Sequence, residues 1–293
     1  MSGYWRGVLL ILLSALALGS YGVWSKLLGP HFPPLYQGWV KAIMIALVLL
    51  PFLIARKLIV PIPRADWFWM SVFLISTAFT LAPIYYAFNT LTLGTALLLF
   101  YGSMLFTMYL FGLVFFKEER TWAKIASLVF ARAGLATVYT FSASVFALLG
   151  VAMALLNGVA SGTEVSSSKK LSGTYSTFYL SWLSWIAIAV TNVIVGFAIG
   201  APLIAPTLTI EWGYMVGFAL ASFVGFWAVM EGLKYVDASV GGVIGLTEII
   251  FGLFFAWAIF AEILTTQTLI GALLILAAAA LPSIVELRRA RAS

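Results

Sequence analysis

A carboxylate stands in the middle of a long apolar stretch of this chain. The stretch reads DASVGGVIGLTEIIFGLFFAWAIFAE (residues 237–262), with Glu248 near its centre. Gly241, Gly245 and Gly252 lie three, four or seven residues from Glu248, so on a helix they share its face. An ionisable group among apolar residues predicts a functional site, where it could bind an amine or carry a proton. The alternative is a structural acid that a neighbouring helix satisfies.

A second candidate is a polar face in the stretch 145–168. Its members recur at spacings of three and four residues, which places them on one side of a helix: Asn157, Ser161, Glu164 and Ser168. An acid at the centre of a lipid-facing helix costs about 2.5–3.5 kcal/mol. We therefore expect this face to line a cavity or to form hydrogen bonds with another helix.

The first half of the chain offers hydroxyl groups and aromatic rings in place of acids. Such groups can bind a zwitterion or an aromatic ring with little cost of charge. In the second half, Trp227 lies four residues before Glu231, where packing and an ion pair of Glu231 with Lys234 are the structural alternatives. The predicted substrate-binding residues are Glu248, Glu164, Asn157, Tyr85, Tyr86, Asn89, Tyr101, Ser103, Thr107 and Trp227.

The composition indicates that these groups lie within a membrane. The 293 residues are 63% hydrophobic and 9% charged, whereas soluble domains carry about 25% charged residues. A membrane helix needs about 20 mostly apolar residues. Ten stretches meet that standard: 6–28, 35–55, 67–90, 95–116, 121–141, 145–168, 175–199, 212–235, 238–260 and 266–286. We predict an all-α integral membrane protein with ten transmembrane helices.

The basic residues predict the orientation of these helices. With the N-terminus in the cytoplasm, 13 of the 16 Lys and Arg residues fall on the cytoplasmic side, as the positive-inside rule requires. The first stretch begins like a signal peptide but continues apolar to Leu28, so we interpret it as the first helix. We predict a multi-pass protein of the cytoplasmic (inner) membrane with both termini in the cytoplasm.

Short sequence matches indicate an internal repeat. EERT (118–121) and EILT (262–265) each follow one apolar segment and precede another, at an offset of 144. Gly19-Ser20 matches Gly162-Thr163 at an offset of 143. We predict two five-helix halves, residues 1–142 and 143–293. Because five is odd, the halves must insert in opposite orientations, with a substrate site expected near the midplane where they meet.

This arrangement resembles the drug/metabolite transporter superfamily, in its EamA-like ten-helix branch. The similarity rests on the acid that ends helices four and nine (Glu118 or Glu119, and Glu262), on the passage EGLKYVDAS (231–239) and on Lys41 in helix two. The family often has a proline in the middle of helices four and nine. Here Met104 or Leu105 and Ile249 stand in those neighbourhoods, so proline does not predict a break in either helix.

The resemblance implies a secondary transporter that moves a small organic solute by alternating access, most simply an exporter of an amino acid or related metabolite, aromatic or neutral. A membrane enzyme, or a channel or scaffold, is the alternative. One His, two Asp and no Cys exclude an HExxH zinc site and a paired-Asp protease. No loop of the GxxxxGKS or GxxxxGKT type occurs, so this polypeptide does not use ATP directly.

The expected partners follow from the membrane composition and from the resemblance to this transporter family. We predict a small-molecule substrate and the lipid bilayer as partners. Transport is expected to be either facilitated diffusion or ion-driven exchange, and for exchange protons are favoured over sodium. No cofactor or metal is predicted, and no basic patch interleaved with aromatic residues indicates nucleic acid. Pairs of glycines four residues apart predict close helix packing, and the chain is expected to be a monomer or a homodimer.

Overall fold

The structure, a computed structural model, describes residues 3–116, 121–138, 145–202, 204–236, 241 and 244–292. Within that part of the chain every regular element is helical, which confirms the all-α prediction. The α-helices are α1 (Gly3–Gly19), α2 (Tyr21–Leu28), α3 (Pro34–Ala55), α4 (Trp67–Ala78), α5 (Ala82–Thr90), α6 (Leu93–Phe115), α7 (Trp122–Val138), α8 (Val145–Leu171), α9 (Thr177–Ala198), α10 (Ile210–Gly232), α11 (Thr247–Phe260) and α12 (Thr266–Ala292).

The lengths of these helices agree with a membrane protein. Among the described residues, seven stretches are long and apolar enough to cross a bilayer: Gly3–Leu28, Pro34–Ala55, Arg64–Thr90, Leu93–Phe115, Ala147–Leu171, Thr177–Ala198 and Ile210–Gly232. Shorter apolar helices at 125–134, 247–260 and 266–282 lie in the three remaining predicted segments.

Contacts between the two halves come in symmetric pairs. Helix α6 contacts α8, and its counterpart in the second half, α11, contacts α1. Helices α4 and α5 contact α8, while their counterpart α10 contacts α1. The corresponding helices α3 and α9 contact each other, as do α7 and α12. Exchanging the halves therefore preserves these contacts, as an inverted repeat with an axis in the membrane plane requires.

Some features named from the sequence lie outside the described residues. They are the boundary between residues 142 and 143, the turn at 141–144, Glu118 and Glu119, and the start of the ninth segment at 237–240. The two-half division at 142/143 thus remains a prediction.

Three of the predicted membrane segments are interrupted near their middle. The interruptions lie at Ser20 between α1 and α2, at residues 79–81 between α4 and α5, and at Leu246 just before α11. Helix α6, by contrast, is continuous from Leu93 to Phe115. The ninth segment is therefore broken without a proline, and its counterpart in the first half is not.

At each interruption, a hydroxyl group donates to the carbonyl oxygen three residues earlier. Ser20 Oγ donates to Ala17 at 2.6 Å. Thr80 Oγ1 donates to Thr77 at 2.8 Å. Thr247 Oγ1 donates to Ile244 at 2.7 Å. A side-chain donor at this position competes with the backbone for a helical carbonyl, which gives a local reason for each helix to turn here.

Glycines allow α8 to approach α6 closely. A Cβ atom on Gly158 would lie 2.4 Å from the carbonyl oxygen of Phe100, and one on Gly162 would lie 2.7 Å from that of Met104. Only a residue without a side chain permits such backbone contact. This contact joins the first half to the second and fixes the polar face of α8 next to α6.

Candidate functional site

A cavity of about 450 Å³ lies between the two halves, within the usual size range of small-molecule sites, about 300–1,000 Å³. Its mouth is at the end of the bundle where α8 connects to α9, and the exposed residues Ser172 and Thr177 lie there. At its inner end are Tyr21, Leu97 and Glu248. We call the end of the bundle at Ser172 and Thr177 the mouth end. The opposite end of the bundle is the closed end.

The helix interruptions each contribute a polar residue to the cavity wall. Tyr21 follows the first interruption, Thr80 lies in the second, and Glu248 follows the third. Interrupted membrane helices are tolerated where the freed backbone lines a cavity or is buried in protein. The breaks therefore determine where polar groups meet between the two halves.

Glu248 lies in the first turn of α11 and in the wall of the cavity. A negative charge at a helix N-terminus is stabilised by the helix dipole and by the unpaired N–H groups of the first turn. The Tyr101 hydroxyl of α6 lies close to this carboxylate, although Tyr101 is not part of the cavity wall. The structure thus brings together two of the predicted site residues, one from each half of the chain.

Neighbouring glycines of the ninth segment serve packing more than the cavity. A Cβ atom on Gly252 would lie 2.4 Å from Leu97 Cδ1, and one on Gly241 would lie 2.5 Å from Leu233 Cδ2. Gly245 has open space at the same position. None of these three glycines lines the cavity, and the turn at Leu246 separates Gly241 and Gly245 from the helix that carries Glu248.

The polar face of α8 lines the cavity along its length, through Asn157, Ser161, Glu164 and Ser168. Glu164 Oε1 also accepts a hydrogen bond from Ser184 Oγ of α9 at 2.8 Å. Thr77 of α4 is a further partner of this carboxyl group. Both alternatives for the face are thus present, because it lines the cavity and also makes contacts between helices.

Asn157 has a structural task at the second interruption. Its side chain is 1% exposed, and its Nδ2 donates to the carbonyl oxygens of Thr80 and Phe79, the latter at 3.5 Å. These carbonyl groups belong to the residues between α4 and α5, where the helical hydrogen-bond pattern stops. Asn157 therefore joins the first helix of the second half to the break in the first half.

Two predicted residues of α6 face α8 and not the cavity. Ser103 Oγ donates to the carbonyl oxygen of Leu99 at 2.8 Å, and Thr107 Oγ1 donates to that of Ser103 at 2.9 Å. Their side chains lie against Gly158 and Gly162 of α8. Each hydroxyl group is thus satisfied within its own helix at a helix–helix contact.

Four other predicted residues also lie outside the cavity wall. Tyr85 is fully buried behind it, and Tyr86 is half-buried. Asn89 Nδ2 donates to the carbonyl oxygen of Tyr85 at 2.7 Å and faces Ser25 of α2. Trp227 is 42% exposed on the outer surface of α10, whereas its neighbour Phe226 lines the cavity.

The sequence reasoning missed the contribution of α9. Thr177, Ser181 and Ser184 line the cavity together with Trp185. The hydroxyl residues lie four and three apart, which is the spacing of a helix face and the same signal that identified α8. Tyr21 was missed as well, although it follows directly after Gly19-Ser20.

Cross-half contacts close the other end of the bundle. Lys26 Nζ lies 2.5 Å from Glu262 Oε1, which joins α2 to the connection between α11 and α12. The Tyr36 hydroxyl donates to the carbonyl oxygen of Ile204, and His31 Nε2 lies 3.5 Å from Glu211 Oε1.

The mouth end has a cross-half contact at one edge. The Tyr175 hydroxyl, in the connection between α8 and α9, donates to Asp66 Oδ2 at 2.7 Å. Burial and the Asp66 carboxylate raise the pKa of Tyr175 to about 12. The hydroxyl group is therefore a hydrogen-bond donor throughout the physiological pH range.

Comparison with known proteins identifies the family. The sequence profile of the EamA-like transporter family matches twice, at residues 5–140 and 148–284. The chain has the same fold as a protein in a solved crystal structure. The TM-score is 0.66 and the sequence identity is 18%, and the match covers 96% of this chain and 98% of that chain. No curated protein matches the sequence. Because the profile matches cover nearly the whole chain, once in each half, the protein belongs to the EamA-like transporter family.

Proposed function

We propose that this protein is a secondary transporter that exports a small organic solute, an amino acid or related metabolite, by alternating access. One observation carries the proposal: Glu248 lies in the wall of a cavity between the two repeats, just after a helix interruption. Substrate sites of inverted-repeat transporters lie at such positions, formed by discontinuous helices. In this scheme the halves 1–142 and 143–293 move against each other around the cavity.

The proposed direction depends on the predicted orientation. With both termini in the cytoplasm, the mouth end faces the cytoplasm and the closed end faces outward. The cavity is then accessible to cytoplasmic substrate, and the contacts of Lys26 and Tyr36 at the closed end retain it there. Release requires these contacts to separate while the mouth end closes.

The roles of the site residues follow from their chemistry. Glu248, which lies close to the Tyr101 hydroxyl, binds the amino group of the substrate or, when the site is empty, a proton. Glu164 provides a second acid nearer the mouth. Asn157 positions the interruption that carries Thr80. Binding of an amine in competition with a proton would couple export to proton entry.

Counter-flow in proteoliposomes tests this function. Purified protein is reconstituted with unlabelled amino acid inside, and uptake of the radiolabelled amino acid is followed across a panel, with and without a proton gradient. We expect exchange of at least one amino acid and acceleration of net transport by the gradient. Exchange that is insensitive to the gradient would replace proton coupling by facilitated diffusion, and a panel without any exchange would contradict the assignment to amino acids.

Glu248→Gln is the decisive variant because it removes the charge and retains the shape. We expect it to abolish exchange across pH 5.5 to 8. The matched control is Glu231→Gln, which removes an acid that pairs at 2.6 Å with Lys234, three residues further along the chain, and that lies outside the cavity wall. Unchanged exchange by Glu248→Gln would exclude Glu248 from both proposed roles.

A further inference from the structure

A lysine is enclosed completely at the junction of the two halves. Lys41 of α3 is 0% exposed, and within the described part of the chain its Nζ has no hydrogen-bond partner. Four aromatic rings surround the amine. Their centroids lie 3.9 Å (Phe218), 4.1 Å (Tyr21), 5.1 Å (Tyr85) and 5.5 Å (Trp185) from Nζ. The rings come from α10, α2, α5 and α9.

The aromatic rings do not fully account for this lysine. Cation–π contacts compensate part of the lost hydration when the amine is protonated, but among the described residues its N–H donors have no acceptor. Methionine or leucine would fill the same volume without that cost, as replacement of buried ion pairs by apolar residues shows. A buried polar group without a partner, at membrane depth, indicates a function.

A second donor without a partner lies beside the first. The Tyr85 hydroxyl is fully buried and, among the described residues, also has no hydrogen-bond partner. Its ring packs against Phe218 at 5.4 Å between centroids. An ammonium group and a phenolic O–H together are well suited to a carboxylate, because one supplies charge and both supply donors.

The amine is separated from the cavity by rings that belong to the cavity wall. Tyr21 and Trp185 contact Lys41 and also line the cavity. Glu248 lines the same wall. Tyr21 is the first residue of α2, directly after the interruption at Ser20. A change in the angle between α1 and α2 would therefore move the ring that covers Lys41.

We infer that Lys41 and Tyr85 form an occluded subsite for the carboxylate of a zwitterionic substrate, covered by Tyr21 in the present state. The inference rests on the proposed transport function and specifies its substrate class. Glu248 binds the ammonium group of the substrate, and the carboxylate reaches Lys41 and Tyr85 when α2 moves. The apolar cavity walls then hold an aromatic or aliphatic side chain.

A pair of probes that differ only in the carboxylate tests this subsite. Counter-flow in proteoliposomes is measured with phenylalanine and with phenethylamine, for the wild type, Lys41→Met and Tyr85→Phe. We expect Lys41→Met to lower phenylalanine exchange by about tenfold or more, since hydrogen bonds to charged groups have that effect, and to spare phenethylamine exchange. Tyr85→Phe should act in the same direction with a smaller loss. Lys234→Met, at an exposed ion pair, is the control.

Thermal unfolding in detergent separates this role from a structural one. Both variants remove a buried polar atom without a partner, so we expect an unfolding temperature equal to or above that of the wild type. Phenylalanine should raise the unfolding temperature of the wild type and not that of Lys41→Met. This ligand shift is measured without transport, so it tests the subsite even if exchange fails.

The outcomes distinguish the subsite from the transport proposal. Equal losses for phenylalanine and phenethylamine in Lys41→Met would overturn the carboxylate subsite, and so would exchange like the wild type with both probes. A wild type that binds phenylalanine through Lys41 without exchanging it would support the subsite and contradict the transport function. No binding and no exchange of either probe would contradict both.

Discussion

The ammonium group of Lys26 lies 2.5 Å from Glu262 Oε1, and this ion pair joins the two halves at the closed end. The same carboxylate accepts a hydrogen bond from the backbone N–H of Leu93 at 3.0 Å, at the N-terminus of α6. Helix N-termini carry unpaired N–H groups and favour negative charge. One carboxylate thus holds α2, α6 and the connection before α12 together, at the end of the bundle that opens for release in the proposed transport cycle.

The ion pair predicts the response of the closed end to Glu262→Gln. Loss of a charged hydrogen bond weakens the contact by about 1–3 kcal/mol, which shifts a two-state equilibrium by about fivefold or more. The chain contains no cysteine, so Ser181→Cys introduces a single reactive site in the cavity wall. We expect the labelling rate of this site by an impermeant maleimide, added at the mouth side, to fall in the Glu262→Gln background.

The control for this measurement is Glu231→Gln. It breaks an ion pair of similar length, 2.6 Å, between two residues only three apart in the chain, so it should leave the labelling rate unchanged. A labelling rate that is the same with Glu262 and with Gln at this position would show that the ion pair does not hold the closed end.

The fold was predictable from the sequence because its determinants are local. Apolar length, turn residues and the distribution of Lys and Arg define membrane segments without any tertiary information. The interruptions were not predictable in this way. Prolines mark only some breaks, and a Ser or Thr that donates to its own helix, such as Ser20 or Thr247, also occurs in continuous helices, as Ser103 does.

The candidate site was predictable where a polar group is costly in lipid. Glu248, Glu164 and Asn157 stood out for that reason, and the structure places all three in the cavity wall. Trp227 carries no such cost, and a shift by one residue turns a helix face by about 100°. The cavity therefore receives Phe226 in place of Trp227, and only the packing of α10 against its neighbours decides between them.

Asn157→Leu should destabilise the fold at the second interruption. The carbonyl oxygens of Phe79 and Thr80 lose the Nδ2 donor, and a buried polar group without a partner costs about 1–3 kcal/mol. We expect a lower unfolding temperature in detergent, measured by intrinsic fluorescence. Ser161→Ala, one turn away on the same cavity face, should change it little. Equal unfolding temperatures for Asn157→Leu and the wild type would show that the interruption does not depend on this amide.

Gly158→Ala should destabilise the contact between α6 and α8. The added methyl group would lie 2.4 Å from the backbone oxygen of Phe100, which cannot move without shifting α6. Gly213→Ala is the matched control, because a Cβ atom there meets nothing within 4 Å. Alanine in an open helical position favours the helix by about 0.5–1 kcal/mol over glycine. We therefore expect the unfolding temperature to fall for Gly158→Ala and to stay or rise for Gly213→Ala.

Glu164 combines a cavity position with a helix contact, and two substitutions separate these roles. Glu164→Gln removes the charge, while its amide oxygen can still accept the hydrogen bond from Ser184. With glutamate at this position that bond is 2.8 Å long. Ser184→Ala keeps the charge and removes that bond, worth about 0.5–1.5 kcal/mol. If the carboxylate acts on the substrate, Glu164→Gln lowers exchange in counter-flow and Ser184→Ala does not.

We expect the loss in Glu164→Gln to be smaller than the loss in Glu248→Gln. The Glu164 carboxyl group already has Ser184 and Thr77 as partners, so less of its hydrogen-bonding capacity is available to a substrate amine. A purely structural acid gives the opposite pattern, in which Ser184→Ala lowers the unfolding temperature and neither substitution changes exchange. Measuring exchange and unfolding on the same two variants therefore decides whether α8 contributes a second ligand or only a helix contact.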